Sequence, residues 1–393
     1  MITTLLDCSK AFDMCRFSTL FQKLMDRNVP PIVIRLLACV YEEQVGCVQW
    51  DGIRSTGFCI TNGTRQGSVL SPTLFSVYLD DLLKELRQLG LGCHVGGVWV
   101  GAAGYADDLI LLAPSRTAMV RMLKVCEQYA EDHNLLFSTD PNPNKSKSKC
   151  LYMCGYEDPV YPLPLQLCGQ DLPWVKHAVH LGHELHQYCT MDYDVNIKRA
   201  QYIETAMEIQ ETFHFARPQE ILRATQVYGG HWYGSMLWDL YSEKVGQVFR
   251  SWNTSVKTAW GLPRSTHTFI VEHLLARDTP TVKQQLIGRY VNFFRSLLLS
   301  QSPEVQVVAN LAGRCARSTT GRNLLNIQRE TSLDPWLTPA WKVSAAVQKS
   351  PLPENEKWRL HYLMKLIAAR QELESSCGNT EEVNSLIDSL CSS

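Results

Sequence analysis

The sequence lacks the features that mark membrane, secreted and low-complexity proteins. Among its 393 residues, no apolar run approaches the length of a membrane-spanning helix. The segment from Met1 to Lys10 has no basic region followed by an apolar stretch and a cleavage site, as a secretion signal would have. No internal repeat or low-complexity tract is present. We therefore expect an intracellular globular protein without a membrane partner, and the sequence does not distinguish nucleus from cytoplasm.

The chain also lacks an excess of charge of either sign. A formal net charge of −1 argues against a uniformly basic surface that coats nucleic acid, but it leaves room for a local basic channel. With 45% hydrophobic residues, the chain can form a packed core in two or three domains. Its 14 cysteines have no regular spacing, and some, such as Cys39 and Cys126, lie on apolar faces of apparent helices. We interpret most of them as reduced core thiols.

The most informative segment that is present runs from Tyr105 to Asp108. Its two adjacent carboxylates, Asp107 and Asp108, lie between an apolar stretch from Val95 to Gly104 and another from Leu109 to Ala113. This pattern predicts a β-hairpin with paired carboxylates at its tip. Two such groups repel and titrate as a coupled pair unless a cation neutralises them. The local prediction is therefore a magnesium site.

A second pair of aspartates, Asp80 and Asp81, has almost the same neighbours in a different setting. Ser71 is a plausible helix N-cap, Pro72 suits the first helical position, and apolar residues then recur at helical spacing up to Gly90. We interpret this pair as part of a solvated helix face, with a structural role or none. The two pairs have the same residue types, so only the surrounding sequence distinguishes them.

The order of elements predicts an α+β fold with helices packed on an antiparallel sheet. Residues Ile2 to Leu6 form a buried strand that ends at Asp7, two helices follow, and Gly46 to Ile60 form a hairpin around Asp51-Gly52. After the Ser71 helix and the Asp107 hairpin come a helix from Ser115 and two more strands. Beyond a proline-containing connection the chain is mainly helical. We predict a domain boundary near residue 190 and a further division near residue 264.

Asp7 opens a second acidic segment, which ends at Asp13. With Asp7 at the end of a strand and Asp107 and Asp108 at a hairpin tip, adjacent antiparallel strands can bring the three carboxylates together. Such a set can bridge two divalent ions, one activating an attacking hydroxyl and the other stabilising a leaving pyrophosphate. Magnesium suits this chemistry, since substrate phosphates and water complete its oxygen coordination. Nucleotidyl transfer is the predicted reaction.

A glycine-containing segment from Asn62 to Pro72 lies between the acidic segments. Gly67 allows close backbone approach to a base or sugar, Gln66 offers an amide, and the following helix holds the segment rigidly. Taken alone, the same letters describe an ordinary glycine turn before a helix. The position between the carboxylates favours the functional interpretation.

These residues, in this order, resemble the reverse transcriptase palm of non-LTR retrotransposons, the long interspersed elements. Five segments resemble the family's motifs in turn. Asp7 to Asp13 resembles motif A, Arg65 to Pro72 resembles motif B, and Tyr105 to Asp108 resembles motif C. Asn144 to Lys147 resembles motif D, and His180-Leu181-Gly182 resembles the motif E primer grip. The resemblance covers roughly residues 1–190. Five motifs in the correct order and spacing form a strong signal.

The resemblance implies an RNA-directed DNA polymerase that takes an RNA template, a DNA primer and dNTPs, with two Mg²⁺ ions that Mn²⁺ can replace. Asp7, Asp107 and Asp108 are then metal ligands, and the Cys8 carbonyl assists them. Phe12 excludes a 2′-hydroxyl, Arg65, Gln66 and Gly67 contact the substrate, and Lys145 acts as a general acid toward pyrophosphate. Residues 1–190 correspond to a palm with partial fingers, residues 191–263 to a thumb-like helical region, and residues 264–393 to a helical region of unknown role. The oligomeric state is left open.

One departure from the family concerns the basic fingers that precede motif A, because motif A here starts at Asp7. We therefore hypothesise a truncated or mispredicted copy whose site can bind metal but that polymerises poorly or not at all. Two alternatives stay open: a non-catalytic nucleic-acid-binding remnant, and a hydrolase that uses the same carboxylates. Four tryptophans after the palm can stack on nucleic acid or fill a helical core, and we expect burial: Trp232, Trp238, Trp252 and Trp260.

Overall fold

The chain folds into two compact units, Met1–Thr190 and Met191–Ser393. The structure, a computed structural model, describes residues 1–65, 67–140, 142, 145–154, 161–230, 232–274, 280–348, 356–376 and 378–392. Within these ranges, no helix combines the length and the apolar character that crossing a membrane requires.

The first unit mixes short strands with helices, as the α+β prediction requires, and that prediction is confirmed. Its elements are β1 (Ile2–Asp7), α1 (Ala11–Met14), α2 (Phe17–Asp26), α3 (Pro31–Glu42), β2 (Val45–Gly46), β3 (Gln49–Trp50), β4 (Ile53–Arg54), β5 (Phe58–Cys59), α4 (Ser71–Gln88), β6 (His94–Val95), β7 (Val98–Trp99), β8 (Ala102–Tyr105), β9 (Asp108–Ala113), α5 (Arg116–Asp132), β10 (Lys149–Tyr152), β11 (Leu165–Leu167), β12 (Gln170–Leu172), β13 (His177–His180) and β14 (His183–His186).

A four-stranded sheet in the order β10-β1-β9-β8 forms the centre of this unit. Its named pairings, β1 with β10, β1 with β9 and β8 with β9, are all antiparallel. Because β1 is an interior strand, its first five residues are buried on both faces. The alternation of burial along β9 shows that one of its faces is fully packed and the other is partly open.

Helices cover one face of the sheet. Leu6, Leu109 and Leu111 lie on this face and belong to the same hydrophobic core as the buried stripes of α4 and α5. The opposite face carries Leu5 and Ile110, which pack with residues of the β13–β14 hairpin. Asp7 at the end of β1 and Asp108 at the start of β9 also lie on this second face.

The hairpin predicted around Asp51-Gly52 is confirmed as a ribbon built from β2 with β5 and β3 with β4. Asp51 (φ 47°) and Gly52 (φ 78°) both adopt left-handed backbone conformations, which a two-residue turn of this kind requires.

Local predictions fail where a tertiary contact replaces a local one. Ser71 is the first residue of α4 and not its N-cap, because its hydroxyl donates to the Arg65 carbonyl instead of capping the helix. The stretch from Val95 to Gly104 is broken into β6, β7 and β8, since turns interrupt it. Cys126 is buried as predicted, whereas Cys39 is exposed on α3. The cysteines that the structure describes are free thiols.

The second unit is helical, with one hydrophobic core that extends from Val195 to Cys391. Its elements are α6 (Asp192–Thr212), α7 (Pro218–Ala224), a π-helical turn (Thr225–Gly229), a 3₁₀ turn (Ser235–Leu237), α8 (Glu243–Ala259), α9 (Thr268–Leu274), α10 (Val282–Leu298), α11 (Pro303–Arg314), α12 (Thr319–Thr331), α13 (Ala340–Ala346), α14 (Lys357–Ser375) and α15 (Glu381–Ser392). The predicted burial of the four tryptophans is confirmed, because each exposes 5% of its surface or less.

Two buried polar side chains fix the segment between the 3₁₀ turn and α8. The Trp238 indole N–H donates to Asp194 Oδ2 at 2.7 Å. Asn323 on α12, which is fully buried, donates to the Trp238 carbonyl at 2.8 Å and accepts from the Leu240 N–H at 3.0 Å. Because unpaired polar groups are costly in a core, these contacts determine how the segment packs.

The Asp80 and Asp81 pair on α4 has the predicted structural role, on a face that is only partly solvated. Asp81 accepts from the Lys23 ammonium at 2.6 Å, and the Arg27 guanidinium lies 2.9 Å from both carboxylates. Lys84 lies 2.7 Å from Asp80 and 3.1 Å from Asp81. Three cations on α2 and α4 therefore neutralise two aspartates, and Lys23 is itself buried.

This network predicts an acid-dependent contribution to stability. Burial alone raises the pKa of Asp81, but hydrogen bonds from Lys23 and Lys84 outweigh it and lower the pKa to about 2 from 3.8. A carboxylate with a lowered pKa stabilises the folded state above its unfolded pKa, and the effect disappears as the pH falls from 3.8 to about 2. Asp81→Asn should cost about 1 kcal/mol at pH 7, after allowance for partial exposure.

The measurement is urea unfolding of wild type and Asp81→Asn between pH 7 and pH 2. The difference in unfolding free energy should shrink across the lower end of this range. Asp26→Asn on the exposed side of α2 is the control, since that carboxylate accepts only from Gln22 at 2.9 Å among the contacts described. A difference for Asp81→Asn that does not change with pH would contradict the assignment.

Candidate nucleotidyl-transfer site

The register of β1 against β9 brings Asp7 and Asp108 side by side. The strands pair Leu5 with Ile110, Leu6 with Leu109 and Asp7 with Asp108. Directly opposed residues in an antiparallel pair project from the same face of the sheet, and successive residues alternate between faces. The two carboxylates therefore share the face of Leu5 and Ile110, on which the β13–β14 hairpin packs.

Asp107 lies in the turn that joins β8 to β9. Tyr105 pairs with Asp108, so only Ala106 and Asp107 form the turn, and Ala106 has a left-handed φ of 52°. The prediction that Tyr105 to Asp108 form a hairpin tip is confirmed. Asp107 is thus adjacent to the paired carboxylates in sequence and at the same end of the sheet.

The carboxylates at this sheet end carry negative charge that the protein leaves largely uncompensated. Asp7 Oδ2 is buried and makes no hydrogen bond within the described part of the chain, although the Lys147 ammonium lies 3.7 Å away. Burial and then the charge of Asp107 are the largest causes that raise the pKa of Asp108. The charge of Asp7 also raises it, while His180 and Lys147 act in the opposite direction. The environment therefore opposes ionisation of Asp108, unlike that of Asp81.

Cys8 follows Asp7 and is buried beneath the carboxylates. Burial, together with the charges of Asp107, Asp7 and Asp108, raises the pKa of its thiol to about 12. At neutral pH the side chain is a neutral thiol, which is a poor ligand for a hard cation. The Cys8 backbone carbonyl is the group of this residue that suits magnesium.

The donor set suits a hard divalent cation. Within the described residues, no group of three or more His, Cys, Asp or Glu side chains is arranged to hold a metal ion. The fold thus pairs Asp7 with Asp108 without closing a three-ligand cluster. Mg²⁺ is commonly held by one or two carboxylates, with phosphates and water completing its coordination. Such an ion would stabilise the buried Asp7 oxygen, which lacks a hydrogen bond among the described residues. It would also stabilise the ionised form of Asp108, whose pKa is raised.

Phe12 lies on the segment after Asp7, close to the chain that precedes α4. Its ring packs on Phe75 with centroids 4.9 Å apart. Its carbonyl accepts from the Thr64 N–H at 2.6 Å. A side chain at Gly63 would come within 3.0 Å of the Asp13 backbone, so only glycine permits this approach. The predicted sugar-excluding residue and the start of the predicted substrate segment are therefore in direct contact.

Of the described residues between Arg65 and Leu70, most are open to solvent. Arg65 is exposed, and Gly67 has a left-handed φ of 81° with open space around it. Gln66 lies outside the described residues. The serine hydroxyl at the start of α4 binds the Arg65 carbonyl and so fixes the segment to the helix.

Lys147, and not Lys145, is the lysine that the fold brings to the carboxylates. Lys145 is exposed and its described hydrogen bond is a backbone one to Asn142 at 2.9 Å. The resemblance assigns the general-acid role to Lys145. For Lys147 the sequence indicates only that it projects to the same side as Lys145 and Lys149, toward phosphates or solvent. The alternation of buried Ser146 and Ser148 with exposed lysines was the signal that could have indicated it.

His180 brings the motif E hairpin to the same site. Burial lowers the pKa of its imidazole, while the charge of Asp108 opposes this effect. The interaction with Asp108 places His180 near the carboxylate pair. The β13–β14 hairpin that was predicted for this segment is confirmed.

Comparison with known proteins is consistent with this geometry. Residues 1–185 match the family model described as reverse transcriptase (RNA-dependent DNA polymerase). A Pol polyprotein of the retrotransposable element R2DM of Drosophila melanogaster is 34% identical over 118 residues, which cover 30% of this chain and 11% of that protein. An R2 polyprotein of Nasonia vitripennis is 26% identical over 201 residues, covering 49% of this chain and 19% of that protein.

An RNA-directed DNA polymerase from the mobile element jockey of Drosophila funebris is 32% identical over 126 residues, covering 32% of this chain and 13% of that protein. The chain thus spans only 11% to 19% of the length of these relatives. Telomerase from Candida albicans, solved with a fragment of telomeric RNA, aligns with a TM-score of 0.35 and 10% identity over 75% of this chain and 48% of that chain. A likeness at that score supports no argument here.

Residues 1–185 are thus similar to reverse transcriptases. The relatives that match are Pol polyproteins of R2 elements and an RNA-directed DNA polymerase of jockey, so the similarity is to the non-LTR retrotransposon type.

Proposed function

We propose that this chain carries the catalytic carboxylates of a magnesium-dependent, RNA-directed DNA polymerase. The observation that carries the proposal is the contrast between its two Asp-Asp pairs. Asp80 and Asp81 are neutralised by three protein cations, and the pKa of Asp81 is lowered. Asp107 and Asp108, beside Asp7, have no comparable set among the described residues, and the pKa of Asp108 is raised. A divalent cation is the natural counter-charge for the second group.

In this proposal Asp7, Asp107 and Asp108 hold two Mg²⁺ ions, with the Cys8 carbonyl as a further ligand. Bound there, the ions supply activation of the primer 3′-hydroxyl and stabilisation of the leaving pyrophosphate. Phe12 limits the space at the sugar, since its ring is held against Phe75. Arg65, Gln66 and Gly67 form the surface for the new base pair. Lys145 is the proposed general acid toward pyrophosphate.

Primer extension tests the activity directly. The purified chain is incubated with an RNA template, an annealed DNA primer, dNTPs and Mg²⁺, and product length is measured on a gel. Incorporation that requires template and metal supports the polymerase. Binding of the primer–template without extension would support the non-catalytic remnant. Cleavage of nucleic acid in the absence of dNTPs would support a hydrolase that uses the same carboxylates.

Substitution of Phe12 tests the sugar-exclusion role. Phe12→Val removes the ring that packs on Phe75 and opens space at the sugar, so ribonucleotides should compete with deoxynucleotides. A lost steric clash of this kind should lower the discrimination by about 10-fold or more. The measurement is the ratio of dNTP to rNTP incorporation by the purified chain. Phe12→Tyr, which keeps the ring, is the control, and unchanged discrimination in Phe12→Val would remove the role.

A further inference from the structure

Lys147 contacts the carboxylate site through a weak and open ion pair. Its ammonium lies 3.7 Å from Asp7 Oδ2, beyond normal hydrogen-bond distance, and 70% of its side chain is exposed. The same Asp7 oxygen is buried and has no hydrogen bond to any described residue. Lys147 is therefore a counter-charge at the site that makes no close bond to it.

Buried serines hold the backbone of Lys147 beside Asp7. The Asp7 N–H donates to Ser148 Oγ at 3.2 Å, and Ser146 Oγ donates to the Ser148 carbonyl at 2.8 Å. Both serines expose 1% of their surface or less. The Ser138 N–H also donates to the Asp7 carbonyl at 2.8 Å. The backbone on either side of Lys147 is fixed, whereas its own side chain can move.

The Lys23–Asp81 pair shows what a permanent ion pair in this unit looks like. It is 2.6 Å long, and only 8% of the Lys23 side chain is exposed. Lys23 also donates to Tyr129 Oη at 3.1 Å. A buried, doubly bonded ammonium cannot leave without stranding its partners, whereas an exposed ammonium at 3.7 Å can leave at little cost.

We propose that Lys147 is a displaceable counter-ion of Asp7, which occupies the negative field of the site before metal binds and competes with the incoming divalent cation. The inference rests on the proposed function, because it takes the carboxylates to be a metal site. An ammonium and a divalent ion cannot both lie close to Asp7 without repulsion. Loss of the Lys147 charge should therefore tighten metal binding in the absence of nucleotide. Exposed ion pairs contribute little free energy, so we expect the dissociation constant of the metal to fall by a factor of about two to five.

The test is a Mn²⁺ titration of the full chain, with free Mn²⁺ measured by electron paramagnetic resonance and no nucleotide or nucleic acid present. Lys147→Met removes the charge and keeps the length of the side chain, and Lys147→Arg keeps the charge. Lys145→Met is the matched control, since Lys145 is an exposed lysine two residues away. Asp108→Asn reports whether the bound ion is at the carboxylates. Circular dichroism of each variant verifies the fold.

Tighter binding in Lys147→Met, with wild-type binding in Lys147→Arg and Lys145→Met, supports the inference. Equal affinity in Lys147→Met and wild type would overturn it while leaving the metal site intact. An equal gain in Lys145→Met would also overturn it, since it would show a general effect of net charge. Binding that does not respond to Asp108→Asn would overturn both this inference and the proposed metal site.

Discussion

Asp108→Asn should abolish metal-dependent primer extension and, at the same time, make the protein slightly more stable. Loss of one charged ligand from a two-ion site should lower the extension rate by at least about a hundredfold, as loss of a single group that stabilises transition-state charge does elsewhere. The free energy of unfolding should increase, because burial and the charges of Asp107 and Asp7 raise the pKa of Asp108. At neutral pH the ionised group therefore opposes folding, and an amide does not.

Thermal unfolding separates these effects from simple misfolding. The melting temperature of Asp108→Asn without metal should be about 1–4 °C above that of wild type, the scale expected of a modest change in a unit of this size. Added Mg²⁺ should raise the melting temperature of wild type and leave the variant unchanged, because a ligand stabilises only the state that binds it.

Asp80→Asn is the matched control, because Asp80 stands in the same Asp-Asp context on α4. Its carboxylate is 44% exposed and pairs with Arg27 and Lys84. Primer extension and the response to Mg²⁺ should stay near wild type. A comparable loss in Asp80→Asn would show that either pair matters only through folding, and would remove the evidence for a catalytic site at Asp108.

Asn323→Leu should strongly lower the free energy of unfolding of the second unit, and by more than Asn310→Leu does. The substitution keeps the number and branching of the side-chain heavy atoms. It removes the side-chain partners of two buried backbone groups, the Trp238 carbonyl and the Leu240 N–H. Two stranded groups should cost about 2–4 kcal/mol. Urea unfolding followed by tryptophan fluorescence measures the effect, because Trp232, Trp238, Trp252 and Trp260 are buried in this unit.

Asn310→Leu on α11 is the control for the loss of an asparagine in the same unit. Asn310 makes a local bond to the Gln306 carbonyl at 2.8 Å in its own helix. Because Asn310 is half-buried and its bond is local, the change should cost only about 1 kcal/mol. If the two variants unfolded at the same urea concentration, the buried bonds of Asn323 would not be the feature that fixes the segment after Trp238.

The part of the site that could be predicted from sequence is the part that local patterns determine. The Tyr105 to Asp108 turn lies between two apolar stretches, and such a pattern predicts a β-hairpin. Asp7 could be joined to it because a buried strand beside an antiparallel hairpin leaves few registers that keep apolar residues inside. The stripe of α4 and the cap of α5 at Ser115 are equally local, and Ser115 does accept from the Ala118 N–H at 3.2 Å.

The rest depends on contacts between distant segments. Lys147 meets Asp7 across 140 positions because Ser148 binds the Asp7 backbone. The alternation of serines with lysines in the sequence does not identify Asp7 as the partner. Ser71 looks like a cap until the Arg65 carbonyl takes its hydroxyl. Cys39 lies on an apolar helix, yet Tyr41 is the buried residue of that helix and Cys39 is exposed. The side of the helix that packs inward is set by the rest of the fold, and the apolar letters of the helix do not specify it.

The pairing of Asp7 with Asp108 has a consequence for how this protein can change during evolution. A single-residue insertion or deletion within β1 would turn Asp7 to the opposite face, toward the hydrophobic core. A similar change within β9 would turn its apolar residues to the wrong face relative to Asp108. Substitution of Leu5, Leu6 or Leu109 by another apolar residue leaves the number of residues in the strand unchanged, so the register is kept and the change is tolerated better. Descendants of this sequence should therefore accumulate substitutions in these strands freely, while losses and gains of residues are confined to the connections between them.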